Sequence, residues 1–72
     1  MEVRLARYIH FTRRGDMFEE RLTEAAEYLG VSYRHLQRII ARFCDEGILE
    51  RTRGGYRLLK GDYLEDLYKK TL

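Results

Sequence analysis

The chain has 72 residues, of which 44% are hydrophobic and 36% charged, and its formal net charge is +2. This composition is typical of one small globular domain, close to the lower size limit for a self-sufficient core. No apolar run approaches the ~18 residues that a membrane-spanning helix needs, and the first residues, MEVR, do not resemble the start of a signal peptide. We therefore predict a single domain over residues 1–72 of a cytoplasmic protein.

The residue patterns of an enzyme or a metal protein are missing from this sequence. The single cysteine, Cys44, excludes an internal disulfide and a thiolate zinc site, and His10 and His35 have no metal-ligand spacing. There is no nucleophile and base at a diagnostic spacing, and no glycine-rich phosphate loop that opens a helix. We predict no catalytic, metal-binding or cofactor-binding residues, and an inert, buried Cys44.

The first predicted helix runs from Glu2 to Arg14. Its inward face has apolar residues at helical spacing: Leu5, Ala6 and Ile9, with Tyr8 as a further candidate. Arg13 and Arg14 suit the carbonyl end of the helix, and Gly15 is expected to cap it. In the ambiguous segment that follows, MFEER, a brief strand at residues 17–18 could pair with a later hairpin.

The segment between Leu22 and Ala41 predicts a helix-turn-helix. A helix over about 22–29 is followed by a turn at Gly30 and a second helix over about 32–46. Thr23 is the best N-cap of the helix over 22–29 by its chemistry, and a start one to two residues earlier is the alternative. Ala26 allows the two helices to approach closely, and Gly30 accepts a positive φ without steric cost. The contacts that fix the angle between the helices are expected from Ala25, Leu29, Val31, Leu36 and Ile39.

The second helix of this motif has two chemically distinct faces. Its apolar side is formed, at about 100° per residue, by Leu36, Ile39, Ile40 and Phe43. Its opposite side is formed by Arg34, Gln37, Arg38 and Ala41, flanked by Arg42. Arginine and glutamine have the hydrogen-bonding geometry that matches guanine and adenine edges in the major groove of DNA. An ordinary solvated helix face is the alternative.

A β-hairpin and a last helix are predicted after the motif. A strand over 48–51, a two-residue turn at Gly54 and Gly55, and a strand over 56–59 form the hairpin. The tip, residues 52–55, contains Arg53 and can lie against a phosphate backbone; a plain solvated hairpin is the alternative. The last helix is predicted over 62–68, with Asp62 and Glu65 as a capping box, and its residues facing the core are Leu64, Leu67 and Tyr68. The predicted fold is mainly α with a small β-hairpin: a winged helix-turn-helix with a three-helix core, a wing and a C-terminal helix.

Basic residues are concentrated in two segments that contain no acid. Residues 32–43 contain Arg34, Arg38 and Arg42, and residues 51–60 contain Arg51, Arg53, Arg57 and Lys60. The rest of the chain has seven basic residues against all 12 acidic ones. Two basic segments on an otherwise acidic domain indicate a polyanionic partner.

The string AAEYLGVSYRHLQRIIARFCDEGILERTRGGYRL, residues 25–58, resembles the C-terminal winged-helix domain of the cyclic-AMP receptor protein and fumarate-nitrate regulator superfamily, and AAEYLGVSYRHL is similar to its YeiL-type regulators. The resemblance implies that Ser32 caps the helix or contacts phosphate, and that Arg38 contacts a base or phosphate. Tyr33 and Arg34 replace the arginine and glutamate that are usual there. Arg34 can donate to guanine but cannot accept from cytosine as glutamate does.

Full-length members of this superfamily carry an N-terminal β-barrel sensor domain and a long dimerisation helix, which are not found in these 72 residues. The resemblance therefore implies either a fragment of a longer chain, in which a homodimer forms, or another means of dimerising. A family dimer places two recognition helices about 34 Å apart on a pseudo-palindromic site. The isolated domain is expected to bind one half-site, weakly.

We predict sequence-specific binding of double-stranded DNA by the DNA-binding domain of a bacterial transcription regulator. Base edges are expected to be read by Tyr33, Arg34, Gln37 and Arg38. Phosphates are expected to be contacted by Thr23, Ser32, Arg42, Arg53 and Arg57. The main alternative is a winged helix that binds a protein, for which Tyr33 and His35 are suitable contacts. Double-stranded RNA is disfavoured because its A-form major groove excludes a recognition helix.

Overall fold

Four helices and three short strands form the part of the chain that the structure, a computed structural model, describes, residues 1–69. The helices are α1 (Glu2–Thr12), α2 (Leu22–Leu29), α3 (Tyr33–Asp45) and α4 (Gly61–Lys69). The strands are β1 (Met17–Phe18), β2 (Leu49–Thr52) and β3 (Gly55–Leu58). This order of elements confirms the predicted winged helix-turn-helix. Within residues 1–69, no helix has the length and apolar character that crossing a membrane requires.

The core lies where α1 packs against α4, α2 against α3, and α3 against β2. The largest fully buried side chains are Phe18, Phe43, Leu5, Ile9, Leu36, Ile40, Ile48, Leu49 and Leu64. The inward faces predicted for the first helix and for the second helix of the motif are confirmed, with Tyr8 packed against the edge of the core. Removal of this apolar surface from water, at about 25 cal/mol per Å², is the main source of stability.

A left-handed glycine makes the turn between α2 and α3. Gly30 has φ 72° and ψ 32°, and the Val31 N–H donates to the Ala26 carbonyl oxygen over 3.0 Å. This bond satisfies a carbonyl that would otherwise have no partner at the end of α2. Ala26 is only 4% exposed. The sequence prediction for this turn is therefore confirmed.

The three strands form one antiparallel sheet in the order β1-β3-β2. The brief strand predicted at residues 17–18 does pair with the hairpin, with Phe18 opposite Tyr56. The predicted hairpin turn is displaced by one residue: Thr52 pairs with Gly55, so the turn is Arg53 and Gly54. The reason is that Gly55 is held in β3, where it pairs with Thr52 and its backbone lies against that of Phe18 in β1, so it does not form part of the turn.

Two predicted helix limits are wrong. The first helix ends at Thr12, because Arg13 is extended with φ −67° and ψ 153°. Gly15 therefore does not cap it, and instead lies in a turn where Arg14 and Met17 exchange backbone hydrogen bonds of 2.8 and 3.0 Å. The last helix begins at Gly61. Asp62 lies within its first turn and not at the N-cap, so the predicted capping box does not form.

The N-caps of α2 and α3 differ from each other. Arg21 is the N-cap of α2, and its carbonyl accepts from the Ala25 N–H over 3.0 Å. Thr23 therefore lies inside the helix: its prediction as N-cap is wrong, and the alternative of an earlier start is confirmed. Ser32 is the N-cap of α3, and its Oγ accepts from the His35 N–H over 3.1 Å. The capping role implied for Ser32 is therefore confirmed.

We expect Gly55→Ala to destabilise the domain by about 1–3 kcal/mol, because inserted atoms in a packed site force the backbone to shift. A Cβ at Gly55 would lie 2.4 Å from the Phe18 carbonyl oxygen. The matched control is Gly54→Ala, whose Cβ would meet no atom nearer than Glu19 Oε2 at 3.7 Å. Urea unfolding measures both, and equal stability of the two variants would contradict the close approach of β3 to β1.

We expect Ser32→Ala to lower the free energy of unfolding by about 1 kcal/mol, the usual cost of losing an N-cap. Thr23→Ala removes a hydroxyl that makes no capping bond within the described chain, and we expect a change within about 0.5 kcal/mol. Denaturant titration followed by circular dichroism compares the two. A larger loss for Thr23→Ala would contradict the assignment of the caps.

Candidate nucleic-acid interface

The exposed face of α3 is defined here by Tyr33, Arg34, Gln37, Arg38 and Ala41, all of which are exposed. It lies opposite the buried side of the helix, which is formed by Leu36, Ile39, Ile40 and Phe43. Burial of that side fixes the rotation of α3 about its axis. The structure therefore brings together the four predicted base-reading residues, with the short side chain of Ala41 among them.

The start of α3 is suited to an anion. The first turn of α3 contains no acid, and backbone N–H groups at a helix N-terminus carry a partial positive charge. The Ser32 hydroxyl accepts from the His35 N–H, which leaves its own hydrogen available for donation to another acceptor. Ser32 is exposed, so this donation could be directed to solvent or to a ligand.

The predicted cations fall into two groups by their ion pairs. Arg42 Nη1 lies 2.9 Å from Glu2 Oε1, and Arg57 lies 3.6 Å from Glu50 Oε1 and 3.9 Å from Asp16 Oδ2. Arg34, Arg38 and Arg53 have no acidic partner within residues 1–69. Among the arginines predicted to contact DNA, those without an acidic partner in this part of the chain therefore lie on the exposed face of α3 and at the hairpin tip.

The hairpin of β2 and β3, called the wing below, presents Arg53 at its tip. Arg51 belongs to the predicted basic segment but was not among the predicted DNA contacts. It lies directly opposite Tyr56, and its guanidinium carbon is 5.9 Å from the Tyr56 ring centroid. Arg51 shares a sheet face with the buried Leu49, two residues before it. Because side chains alternate along a strand, the sequence alone could have predicted this shared face. Arg57 lies on the opposite sheet face, beside Glu50.

Thr23 and Cys44 are the remaining residues for which the sequence predicted a role or a chemical state. Thr23 is exposed in the first turn of α2, and nothing in the structure tests its predicted phosphate contact.

Cys44 is half-buried against the core. Burial raises the pKa of its thiol, which the positive charge of Arg51 lowers in part and the carboxylate of Asp45 raises further. A thiol held in its protonated form is a poor nucleophile.

The pattern that defines the Crp-like helix-turn-helix domain matches residues 3–67. The regulatory protein YeiL of Escherichia coli O157:H7 is 44% identical to the chain over 64 residues, which make up 89% of this chain and 29% of that relative. The chain thus spans less than a third of the relative's length. No solved structure matches the chain significantly. The chain belongs to the family of Crp-like helix-turn-helix domains, and it is a DNA-binding domain of the kind found in transcription regulators, not an enzyme.

Proposed function

We propose that this domain binds double-stranded DNA in a sequence-specific manner, as part of a bacterial transcription regulator in the cytoplasm. In this proposal α3 enters the major groove and the wing lies on the sugar-phosphate backbone. The observation that carries it is the exposed face of α3, where Arg34 and Arg38 have no acidic partner within residues 1–69. Because these arginines have no ion pair to break, their N–H groups can donate to base edges at no electrostatic cost within the domain.

The proposed base contacts come from Tyr33, Arg34, Gln37 and Arg38. At about 1.5 Å of rise per residue, Tyr33 and Arg38 are separated by about 7.5 Å along the helix, which is roughly two base-pair steps of ~3.4 Å. The arginines fit the O6 and N7 acceptors of guanine, and Gln37 fits adenine. Ala41 permits close approach of the helix to the groove floor. The set is therefore suited to reading about three adjacent base pairs.

The proposed phosphate contacts surround this face. Ser32 can donate its hydroxyl hydrogen beside the N-terminus of α3, and Arg53 can reach a phosphate from the wing tip. Arg42 and Arg57 are exposed, so a phosphate can replace or join their carboxylate partners at little cost, because surface ion pairs contribute only about 0–1 kcal/mol. Thr23, at the start of α2, is the remaining candidate.

A single copy of the domain reads one half-site under this proposal. Two copies with their recognition helices about 34 Å apart would read a pseudo-palindromic operator. The half-site is the unit that the isolated domain can be tested on.

We expect Arg38→Ala to weaken binding to the preferred half-site by about 1–3 kcal/mol and to leave binding to scrambled duplex almost unchanged, because base contacts carry the sequence preference. Arg53→Ala should weaken binding to both duplexes equally and reduce the log-log salt slope by about 0.9, the contribution of one phosphate. The half-site is first selected from a random duplex pool. Fluorescence anisotropy at several salt concentrations then measures both variants.

Lys69→Ala is the matched control, because it also removes one positive charge but lies on α4, which packs against α1. It should retain both affinities. Equal behaviour of the Arg38 and Arg53 variants on matched and scrambled DNA would contradict the division of roles. Absence of duplex binding at low salt would favour a protein partner, whose binding through Tyr33 and His35 would respond only weakly to salt.

A further inference from the structure

An open groove of about 690 Å³ lies between α1 and α2. Its walls include Arg4, Arg7, Tyr8 and Phe11 of α1, and Tyr28 and Leu29 of α2. We call it the α1–α2 groove. The α1 wall is one stripe of that helix, because residues three and four apart lie on the same side. No lining residue belongs to α3 or to the wing, so the groove shares no residue with the proposed DNA contacts.

Three aromatic rings line this groove, and two of them are exposed. Tyr28 is 74% exposed and Phe11 is 68% exposed, the highest values among the exposed large hydrophobic side chains of residues 1–69. Tyr8 is half-buried, and its ring centroid lies 5.2 Å from that of Tyr28. Contiguous exposed apolar surface of this kind is typical of an interaction site.

The lining of the groove carries positive charge and no negative charge. Arg4 and Arg7 are exposed, and neither forms an ion pair within residues 1–69. The Arg7 guanidinium carbon lies 5.8 Å from the Phe11 ring centroid, so a cation and an aromatic ring lie side by side. No acidic residue lines the groove. A complementary partner therefore combines anionic groups with apolar surface.

Two acids lie near the groove without lining it, and they limit which anions fit. Burial raises the pKa of the Tyr8 hydroxyl, and the negative charges of Glu20 and Glu24 raise it further, which locates both carboxylates near this ring. A nucleic-acid strand is charged at every nucleotide, so a strand along the groove would also meet these carboxylates. A protein partner can instead place carboxylates at the two arginines alone and uncharged side chains beside Tyr8.

The order of residues along α1 suits a helical partner. The groove lies between two helices and includes no strand residue, so an extended peptide finds no sheet edge to pair with. At 1.5 Å of rise per residue, Arg4 and Arg7 are separated by about 4.5 Å along α1, and Phe11 lies about 6 Å further on. Carboxylates three residues apart on a second helix have the same spacing as the two arginines.

We propose that the α1–α2 groove binds an amphipathic helix of another protein, with two carboxylates three residues apart and large apolar side chains on the adjoining turn. The carboxylates pair with Arg4 and Arg7, and the apolar side chains cover Phe11 and Tyr28. This is the helix-in-groove mode of recognition. Because the groove shares no residue with the proposed DNA contacts, this partner and DNA do not compete for the same side chains.

Synthetic peptides with this pattern test the proposal. The probe is a fluorescein-labelled, alanine-based helix of about 15 residues, with two glutamates three residues apart and a leucine and a tryptophan on the next turn. A second version carries the same pattern in reverse order. Fluorescence anisotropy should show saturable binding of one version to the unmodified chain, with a Kd below about 1 mM. Absence of saturable binding by both versions would overturn the proposal.

Charge reversal on both partners locates the binding. Arg4→Glu with Arg7→Glu should bind the glutamate peptide at least about tenfold more weakly. It should recover affinity for a peptide with lysines in place of the glutamates, because each partner then supplies the opposite charge. The matched control, Arg14→Glu with Arg21→Glu, makes the same change in net charge at exposed positions outside the groove and should bind normally. Equal losses in the two double variants would overturn the assignment to the groove.

Tyrosine variants test the aromatic part of the groove. Tyr28→Ala should weaken binding of the glutamate peptide at least about fivefold, the usual effect of truncating a central interface tyrosine. Tyr63→Ala, which truncates an exposed tyrosine of α4, should not. Tyr28→Ala should also keep its affinity for the DNA half-site, so failure of one proposal leaves the other standing. Circular dichroism confirms that each variant is folded.

Two further outcomes would assign the groove to a different occupant and overturn the proposal. One is binding of a single-stranded oligonucleotide that Tyr28→Ala abolishes while the glutamate peptide remains bound. The other is self-association of the unmodified chain, measured by sedimentation, that Tyr28→Ala abolishes and the glutamate peptide does not displace.

Discussion

The contact between α2 and α3 is the constraint on which the rest of the structure depends. Gly30 sets the turn, and the apolar side of α3 is buried in the core, where α3 packs against α2 and β2. Burial of that side fixes the rotation of α3 about its axis, and this rotation determines which of its residues are exposed to solvent. The exposed face of α3 is therefore a consequence of core packing, and its chemistry was free to vary without any effect on the fold.

Periodic patterns were the reliable part of the sequence prediction. The sequence alone was enough to predict the apolar side of α3, the inward side of α1 and the glycine turn. Each of them depends on residues that are close together in the chain. The exposure of Arg34, Gln37 and Arg38 followed from the same periodicity. These local patterns supplied the helix-turn-helix and the set of candidate base contacts.

Contacts between distant residues were beyond such patterns. The Arg42–Glu2 ion pair joins the last turn of α3 to the first turn of α1. Arg57 meets Glu50 because the register of the hairpin places them opposite each other. That register was misjudged by one residue at Gly55, where the decisive contact is with Phe18, almost 40 positions earlier in the chain. The end of α1 and the start of α4 were similarly decided by backbone conformation, which the residue types at those positions do not indicate.

Strand β1, which lies outside the β2–β3 hairpin, limits the motion of the wing. Because β1 pairs with Tyr56 and Arg57 of β3 and the Phe18 and Tyr56 rings lie 6.5 Å apart, the middle of the wing is held against the segment between α1 and α2. Large excursions of the wing would require this pairing to break. The wing is thus ordered before any encounter with DNA, and its backbone loses little conformational entropy when Arg53 meets a phosphate.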